Sequence, residues 1–387
     1  MKRRFFAVWT LGLLLGLCAA CACPTACAET VGLVELVEDG YLMSLEPGPE
    51  APDAPLRVVC RDSEDALRFE AQIPGTAGSG GRALTEALFP LPDGRFAVFA
   101  ARGYAYTDER LMCFLSPAGE AEPGFALPED TVSAMPCALG VFALTSPGRD
   151  FFASRGLAFL DWQGRALFCG ERADWLDGRK VVAACAEGTR AFAALFAGEG
   201  IALVCLEAGE IAWSRLLTGE ELATLTEPAL LPDGRGGLYL AARDSERPGR
   251  AWLLRLDAKG QTAYRRAVTC GAGEIGQLFW TWREGLPTLC ATLETPCAEP
   301  GPPSGADRAL ALSLDGEGRA AAVDMRDRGA QASIGQARLA LRGGAPCIVW
   351  IQTARQADEP ICVARIAPLA GLPRAQDAGI RLTCPAI

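Results

Sequence analysis

Apolar and polar residues alternate along most of the chain, and glycine or proline interrupts the alternation about every 8–12 residues. A period of two places successive side chains on opposite faces of a β-strand, whereas an amphipathic helix needs a period near 3.6. The pattern therefore predicts an all-β chain of short antiparallel strands that are joined by tight turns.

The strand pattern is repeated. Two segments, 88–123 and 229–264, each contain Leu-Pro-Asp-Gly-Arg, then an apolar run ending in Ala-Ala-Arg, a polar loop, a second apolar run and a glycine turn. The distance between them fits three repeat lengths. Further apolar runs close on turn glycines, and the full set is Gly119, Gly164, Gly209, Gly260, Gly318 and Gly371. In three of these units an aromatic residue lies four positions past the glycine: Phe168, Trp213 and Tyr264.

Each unit is interpreted as four antiparallel strands, A to D. We count seven units, which start near residues 31, 83, 131, 176, 223, 273 and 331. An isolated four-stranded sheet cannot bury both of its faces, but radial packing of repeated sheets covers each face with a neighbour. We therefore predict a seven-bladed β-propeller of four-stranded antiparallel blades, as a single domain over residues 29–387. The alternative, a pair of β-sandwich domains, does not explain the regular glycine turns.

The repeat resembles a known group of proteins. The pattern L-x-x-L-D-x-x-G-x-x-x-aromatic, preceded by Leu-Pro-Asp-Gly, is most complete at Leu253–Tyr264 and weaker at Ile201–Trp213. It is similar to the repeats of bacterial exported propellers of the quinoprotein-like (PQQ-like) and WD40-like type. That resemblance implies the propeller fold, but the group includes enzymes as well as assembly scaffolds. The tryptophan docking motif of the true quinoproteins and the Asp-box of sialidase-like propellers are both absent, so no cofactor is predicted.

The N-terminus has the features of a signal peptide. Lys2, Arg3 and Arg4 precede an apolar core from Phe5 to Leu17, and Ala26-Cys27-Ala28 provides small residues for cleavage. We predict a signal peptide over 1–28 and an exported protein, secreted or associated with the cell envelope. A retained N-terminal anchor and lipoprotein anchoring at Cys21 are the alternatives. No later apolar run is long enough to span a membrane.

Composition excludes several chemistries. The chain has no histidine, which rules out Ser-His-Asp triads, histidine general bases and histidine-ligated metals. The net charge is −10, and removing the leader makes it more negative. Nucleic acid and anionic membrane surfaces are therefore not expected as partners, because both require a basic patch.

Cysteine is frequent, but the placement of the cysteines does not indicate a dense disulfide framework. Of the 16 cysteines, four lie in the leader, and several of the others occupy apolar runs where a thiol acts as a small hydrophobe. Buried free thiols are expected, with bridges such as Cys290–Cys297 or Cys347–Cys362 as alternatives. No CxxC motif remains after the leader, so no metal site is predicted.

The B–C loops are the longest and most variable connections, and together they define one face of the predicted propeller, which we call the loop face. Recognition residues concentrate on such loops, and tyrosine and arginine are favoured anchors. Solvated loops without a partner are the alternative. The candidate binding residues are Tyr104, Tyr106, Asp108, Arg110, Phe151, Phe152, Asp244, Arg247 and Arg250.

Two further features could serve binding or catalysis. Trp280 and Trp282 lie on the same side of one strand, where they could stack on a sugar or base, or pack between blades. Carboxylates cluster at several places, but a glycosidase needs two of them about 5–10 Å apart across a cleft. The acidic clusters are Asp62, Glu64 and Asp65; Asp108 and Glu109; Glu171, Asp174 and Asp177; Glu220 and Glu221; and Asp324 and Asp327. Calcium binding stays open, although no EF-hand loop is present.

These features favour a non-catalytic exported propeller that binds a protein or glycan through its loop face. The alternative is a carbohydrate-active enzyme, a glycosidase or lyase, with an Asp/Glu pair on that face. A third interpretation is a sensor that holds a small ligand in the axial channel.

Overall fold

The computed structural model is an all-β molecule and describes residues 29–37, 40–48, 51–78, 82–91, 93–102, 109–147, 155–172, 174–196, 200–217, 222–270, 273–294, 308–327, 338–342, 345–356, 359–368 and 380–383. The predicted leader lies outside this part of the chain. Among the described residues, none forms a helix with the length and hydropathy of a membrane-spanning segment.

The described strands form antiparallel sheets, numbered 1 to 7 in chain order. Sheet 1 contains β1 (Glu29–Val37), β2 (Gly40–Pro47), β3 (Arg57–Asp62) and β4 (Leu67–Gln72); sheet 2 contains β5 (Ala83–Pro90), β6 (Phe96–Arg102), β7 (Glu109–Leu115) and β8 (Ala121–Ala126); sheet 3 contains β9 (Thr131–Cys137), β10 (Gly140–Thr145), β11 (Gly156–Leu160) and β12 (Ala166–Arg172). Sheet 4 contains β13 (Lys180–Glu187), β14 (Arg190–Phe196), β15 (Ile201–Glu207) and β16 (Glu210–Leu216), after one turn of 3-10 helix at Asp174–Leu176.

Sheet 5 contains β17 (Leu225–Pro232), β18 (Leu238–Asp244), β19 (Arg250–Leu256) and β20 (Thr262–Cys270), and β28 (Ile380–Thr383) joins its outer edge; sheet 6 contains β21 (Glu274–Arg283), β22 (Leu286–Glu294), β23 (Arg308–Leu314) and β24 (Ala320–Asp327); sheet 7 contains β25 (Arg338–Arg342), β26 (Ala345–Gln356) and β27 (Glu359–Pro368). The repeated four-stranded sheets are those of a β-propeller.

The count of seven four-stranded blades is not confirmed. Six of the described sheets have at least four strands, and sheet 7 has three. Residues 369–379, which follow β27, lie outside the described part. The next strand, β28, pairs with β20, where Ala267 faces Thr383 and Cys270 faces Ile380. The C-terminal strand therefore extends sheet 5. It does not pair with a strand of sheet 7, the sheet that precedes it in the chain.

The two middle strands of a sheet are buried on both faces, because each sheet lies between two others. All residues of β11 are buried, and so are the first six residues of β15. The outer strands β8 and β16 are mostly exposed. Apolar clusters fill the spaces between successive sheets from 1 to 6. A further cluster joins sheets 1 and 7, where Tyr41 and Met43 pack with Cys347 and Val349.

Strand register excludes one of the predicted disulfides. Cys347 pairs with Pro368, whereas Cys362 pairs with Thr353, six residues farther along β26. At about 3.4 Å per residue, the two cysteines are separated by roughly 20 Å, and a disulfide needs Cα atoms within about 7 Å. Cys347 is buried, and Cys60, Cys113 and Cys290 are buried free thiols. Cys297 lies outside the described residues.

Candidate functional site

The loop face carries an open depression at sheet 5. It has a volume of about 380 Å³ and is lined by Arg247, Pro248, Gly249, Arg250 and Thr269. The first four residues belong to the loop between β18 and β19 or begin β19, and Thr269 lies on β20 opposite Arg250. Two of the predicted binding residues, Arg247 and Arg250, therefore line one depression.

Asp244 holds this loop in place. Its side chain is buried, and its carboxylate accepts hydrogen bonds from the Thr224 hydroxyl (3.0 Å) and from the backbone amide of Glu246 (3.1 Å). The Arg250 guanidinium lies 3.9 Å from the other carboxylate oxygen. Asp244 is therefore a positioning residue beneath the depression and is not exposed for direct contact.

Backbone hydrogen bonds fasten the loop to its surroundings. The Ser245 amide donates to the Thr224 carbonyl (2.9 Å), and the Ile275 amide of sheet 6 donates to the Pro248 carbonyl (2.7 Å). The loop is thus tied to both the start of its own sheet and the next sheet. A rigid loop loses little conformational entropy when it binds a partner.

Arg250 is held by an aromatic ring as well as by Asp244. Its guanidinium carbon lies 4.0 Å from the ring centroid of Trp252, a cation–π distance. The side chain is only 11% exposed. Arg247, in contrast, is exposed at the rim of the depression. Of the predicted pair of arginines, Arg247 is the one that offers its surface to a partner.

Arg110 has a different role. Its guanidinium forms an ion pair with Glu86 (3.3 Å) and donates to the backbone carbonyl of Thr131 at the start of sheet 3 (3.3 Å). It thereby ties sheet 2 to sheet 3, away from the depression at sheet 5. The remaining predicted residues, Tyr104, Tyr106, Asp108, Phe151 and Phe152, lie outside the described residues.

The sequence did not indicate a group of cations near the start of sheet 4. Arg155 is buried and donates to the backbone carbonyl of Arg179, which itself donates to the Gly200 carbonyl (3.2 Å). Desolvation lowers the pKa of Lys180, and so do the positive charges of Arg110 and Arg155. The sequence carried little signal for this group: Arg155 and Arg179 each directly precede a strand, and Lys180 is the first residue of β13.

Two described members of the acidic clusters are held by neighbouring groups. Asp62 accepts backbone hydrogen bonds from Glu64 and Ala66 within a turn, and Glu109 pairs with Arg102 at 2.6 Å. The side chains of Glu171, Asp174, Glu220, Glu221, Asp324 and Asp327 lie outside the described part. The described residues also contain no group of three cysteines or carboxylates arranged to hold a metal.

The two predicted stacking residues differ in environment. Trp280 is 6% exposed and packs against Tyr239 of sheet 5, with ring centroids 5.7 Å apart. Trp282 is 39% exposed and meets the same tyrosine edge-on at 6.0 Å. The Trp280 ring is buried in the packing between sheets 5 and 6, whereas part of the Trp282 ring is exposed to solvent.

Comparison with known proteins supports the fold alone. No protein-family model matches the sequence, and no curated protein matches it. Among solved structures, the chain is similar to the acylaminoacyl peptidase of Pyrococcus horikoshii, with 10% identity and a TM-score of 0.51 over 88% of this chain and 52% of that one. It is also similar to a prolyl endopeptidase, with 12% identity and a TM-score of 0.50 over 89% of this chain and 51% of that one. Both are propeller-like, and this chain spans about half the length of each.

Proposed function

We propose that this protein is an exported seven-bladed β-propeller that acts as a non-catalytic scaffold and binds a protein or glycan partner on its loop face. The contact between sheets 1 and 7 supports a closed ring of seven. Export is inferred from the basic and apolar leader described above.

The depression at sheet 5 is the observation that supports the binding role. The loop that forms it is held in place, because Asp244 and two backbone hydrogen bonds fix the loop to the start of its own sheet and to sheet 6. Its rim presents Arg247, whose guanidinium can form paired hydrogen bonds with a carboxylate or the hydroxyls of a sugar. A fixed loop with an exposed arginine is typical of a recognition surface and needs no catalytic group.

The environment of the carboxylates favours binding over glycoside hydrolysis. A general acid in a glycosidase has a raised pKa. At the opposite, turn-bearing ends of the strands, hydrogen bonds from Arg95 lower the pKa of Asp93, and hydrogen bonds from Arg319 lower that of Asp315. On the loop face, Glu86 and Glu227 are ion-paired with Arg110 and Arg243.

An affinity experiment with the full chain tests the proposal. The immobilised protein is incubated with secreted proteins and with a glycan array, and the retained partners are compared with those of Arg247→Ala combined with Thr269→Val. The proposal expects this variant to lose at least about tenfold in affinity, as for a central arginine contact.

The matched control is Arg319→Ala, because Arg319 is 66% exposed but lies at the opposite, turn-bearing ends of the strands. This variant should bind as the wild type does. If the loop-face variant retains every partner, or if both variants lose the partners equally, the depression is not the binding surface.

A further inference from the structure

The outer edge of sheet 5 differs from those of the other sheets because it already carries an added strand. Among the described strands, β28 pairs with the outer strand β20, whereas β4, β8, β12, β16 and β24 each end their own sheet. All the strands of sheets 6 and 7 lie between β20 and β28 in the chain. An edge strand presents backbone groups to which another extended segment can add. The β20 edge therefore accepts a strand that is distant in sequence.

The chain's own strand covers only part of this edge. β28 has four residues and pairs with residues 267–270, while residues 262–266 of β20 have no added strand in the described part of the chain. Pro385 follows two positions after Thr383 in the sequence, and a proline lacks the backbone donor that a longer ladder needs. A segment without proline can pair along more of β20 than β28 does, and each further hydrogen bond adds to its affinity.

The covered end of the edge adjoins the depression on the loop face. Thr269 lines the depression together with Arg247, and it pairs in register with Arg381 of β28. The Cys270 amide donates to the Gly249 carbonyl (2.9 Å), which fastens the end of β20 to the loop that forms the depression. Directly opposed residues of an antiparallel pair have Cβ atoms about 4.5–5.5 Å apart. A strand added to β20 therefore places its residue at the register of Arg381 beside the depression.

The charges at this end favour an acidic residue in an added strand. The buried carboxylate of Asp244 lies 3.9 Å from Arg250 and offsets its charge. Arg247 is exposed at the rim, next to exposed Glu246, and within the described part of the chain it forms no ion pair. A guanidinium forms paired hydrogen bonds with a carboxylate. The chain's own strand has an arginine, Arg381, at this register, so an acidic residue there gives a partner segment an advantage over β28.

We propose that the outer edge of sheet 5 is a docking site for an extended segment of a partner protein. The segment adds to β20 in place of β28 and has an acidic residue at the register of Arg381. β28 is then a built-in competitor that covers the site. This inference rests on the proposed function, since it takes a protein as the partner and Arg247 as a contact.

The test measures the binding of a fluorescent peptide to the full-length protein by anisotropy. The probe is Ile-Glu-Leu-Thr-Val-Thr-Val-Thr, which follows β28 for four residues, with glutamate at the register of Arg381, and continues without proline. Leu382→Pro removes a backbone donor from β28 and frees the edge, so it should bind the probe at least about tenfold more tightly than the wild type. Leu382→Ala keeps the donor and should stay within about threefold of the wild type.

A chain that ends at Gly379 lacks β28 and should bind the probe as Leu382→Pro does, which keeps the test decisive if the proline disrupts folding. Two matched probes then identify the contacts. A probe that is N-methylated at every amide facing β20 should not bind, because it cannot donate to the edge. A probe with arginine in place of glutamate should bind Leu382→Pro at least about threefold more weakly, the scale of an exposed ion pair. Adding Arg247→Ala should abolish this difference.

Equal binding of the probe by the wild type, Leu382→Pro and the chain that ends at Gly379 would overturn the proposal. So would tight binding of the N-methylated probe, or equal binding of the glutamate and arginine probes. A probe that does not bind, together with partners lost by the Arg247→Ala, Thr269→Val variant, overturns this inference alone. A probe that binds as expected, together with partners retained by that variant, contradicts the proposed function alone.

Discussion

Gly260, in the C–D turn of sheet 5, packs directly against the indole ring of Trp213 on the outer strand of sheet 4. A Cβ atom on Gly260 would lie 2.7 Å from that ring. The same contact recurs between other successive sheets: Gly119 with Phe69, Gly164 with Phe125, and Gly318 with Tyr264. An aromatic residue of one sheet therefore covers the turn glycine of the next sheet and fixes their relative position.

Replacing Gly260 with alanine should destabilise the protein by about 2–4 kcal/mol. The φ angle of Gly260 is 75°, which costs an alanine about 1 kcal/mol, and overpacking against Trp213 adds about 1–3 kcal/mol. Urea unfolding measures the change in free energy. The control is Gly285→Ala, which has the same φ angle but no atom within 4 Å of the added Cβ. Equal costs for the two variants would show that the ring contact has no energetic role.

Stability should fall in acid partly because of Asp315. Backbone and side-chain hydrogen bonds from Arg319 lower the pKa of Asp315 below its usual 3.8. A carboxyl group with a lowered pKa in the folded state stabilises that state above about pH 4, and this contribution is lost as the pH falls through the folded-state pKa. A carbon-13 NMR titration should report the lowered pKa, and Arg319→Gln should raise it. An Asp315 pKa that Arg319→Gln leaves unchanged would contradict this assignment.

The cysteines should differ in reactivity towards an alkylating reagent at pH 8. Burial raises the pKa of Cys113 to about 11 and that of Cys290 to about 12, so neither forms a reactive thiolate in the native protein. Cys169 is exposed on β12. Mass spectrometry after a short reaction should show labelling of Cys169, while Cys113 and Cys290 react only in denaturant. Native labelling of Cys290 at the rate of Cys169 would be inconsistent with the packing of sheet 6.

Asp244→Ala should destabilise the protein by about 2–3 kcal/mol. The change removes the acceptor for the Thr224 hydroxyl and the Glu246 amide, and leaves these two partly buried hydrogen-bond donors without that partner. The control is Arg247→Ala on the same loop, which should change stability by less than about 0.5 kcal/mol because Arg247 is exposed. Thermal and urea unfolding of both variants provide the comparison. If Asp244→Ala is as stable as Arg247→Ala, the buried carboxylate does not hold the loop.

The C-terminal strand should protect the outer edge of sheet 5. Leu382 pairs with Val268, so a proline at position 382 removes a backbone donor from β28 and disrupts the pairing. In Leu382→Pro, hydrogen exchange of the β20 amides that face β28, within Ala267–Cys270, should be at least about tenfold faster. Leu382→Ala keeps the donor and serves as the control. Unchanged exchange in the proline variant would mean that β28 does not pair with β20 in solution.

Some of the contacts between sheets could be anticipated from the repeat, but others could not. The aromatic residue four positions past the turn glycine was visible for Trp213 and Tyr264, and both cover a glycine of the next sheet. Phe168 occupies the same place in its repeat, yet the atom closest to Gly209 is the backbone oxygen of Leu167. The spacing of the repeat identifies the aromatic residue that follows each turn glycine. Whether that residue contacts the turn glycine of the next sheet depends on the relative position of the two sheets.

The sequence alone determined that this protein is an all-β chain of repeated antiparallel sheets, because strand period and turn chemistry are local properties. It did not determine where the C-terminal strand pairs, since edge pairing depends on which edge lies within reach. The pentapeptide Leu-Pro-Asp-Gly-Arg, present twice, shows the limit most clearly. In sheet 2 the turn runs from Leu91 to Arg95, whereas in sheet 5 it runs from Asp233 to Gly237.

The difference between the two turns comes partly from the next residues, Gly236 (φ 82°) in sheet 5 and Phe96 in sheet 2, and partly from residues distant in the chain. In sheet 5 the buried carboxylate of Asp233 pairs with Arg255 on the third strand. The matching position in sheet 2 is Phe114, which cannot pair with Asp93 and instead lies beneath the guanidinium of Arg95 at 5.2 Å. The same pentapeptide thus adopts two registers. The glycines that follow it in sheet 5 are visible in the sequence, but the side chain that the third strand presents to the turn is brought there only by the tertiary structure.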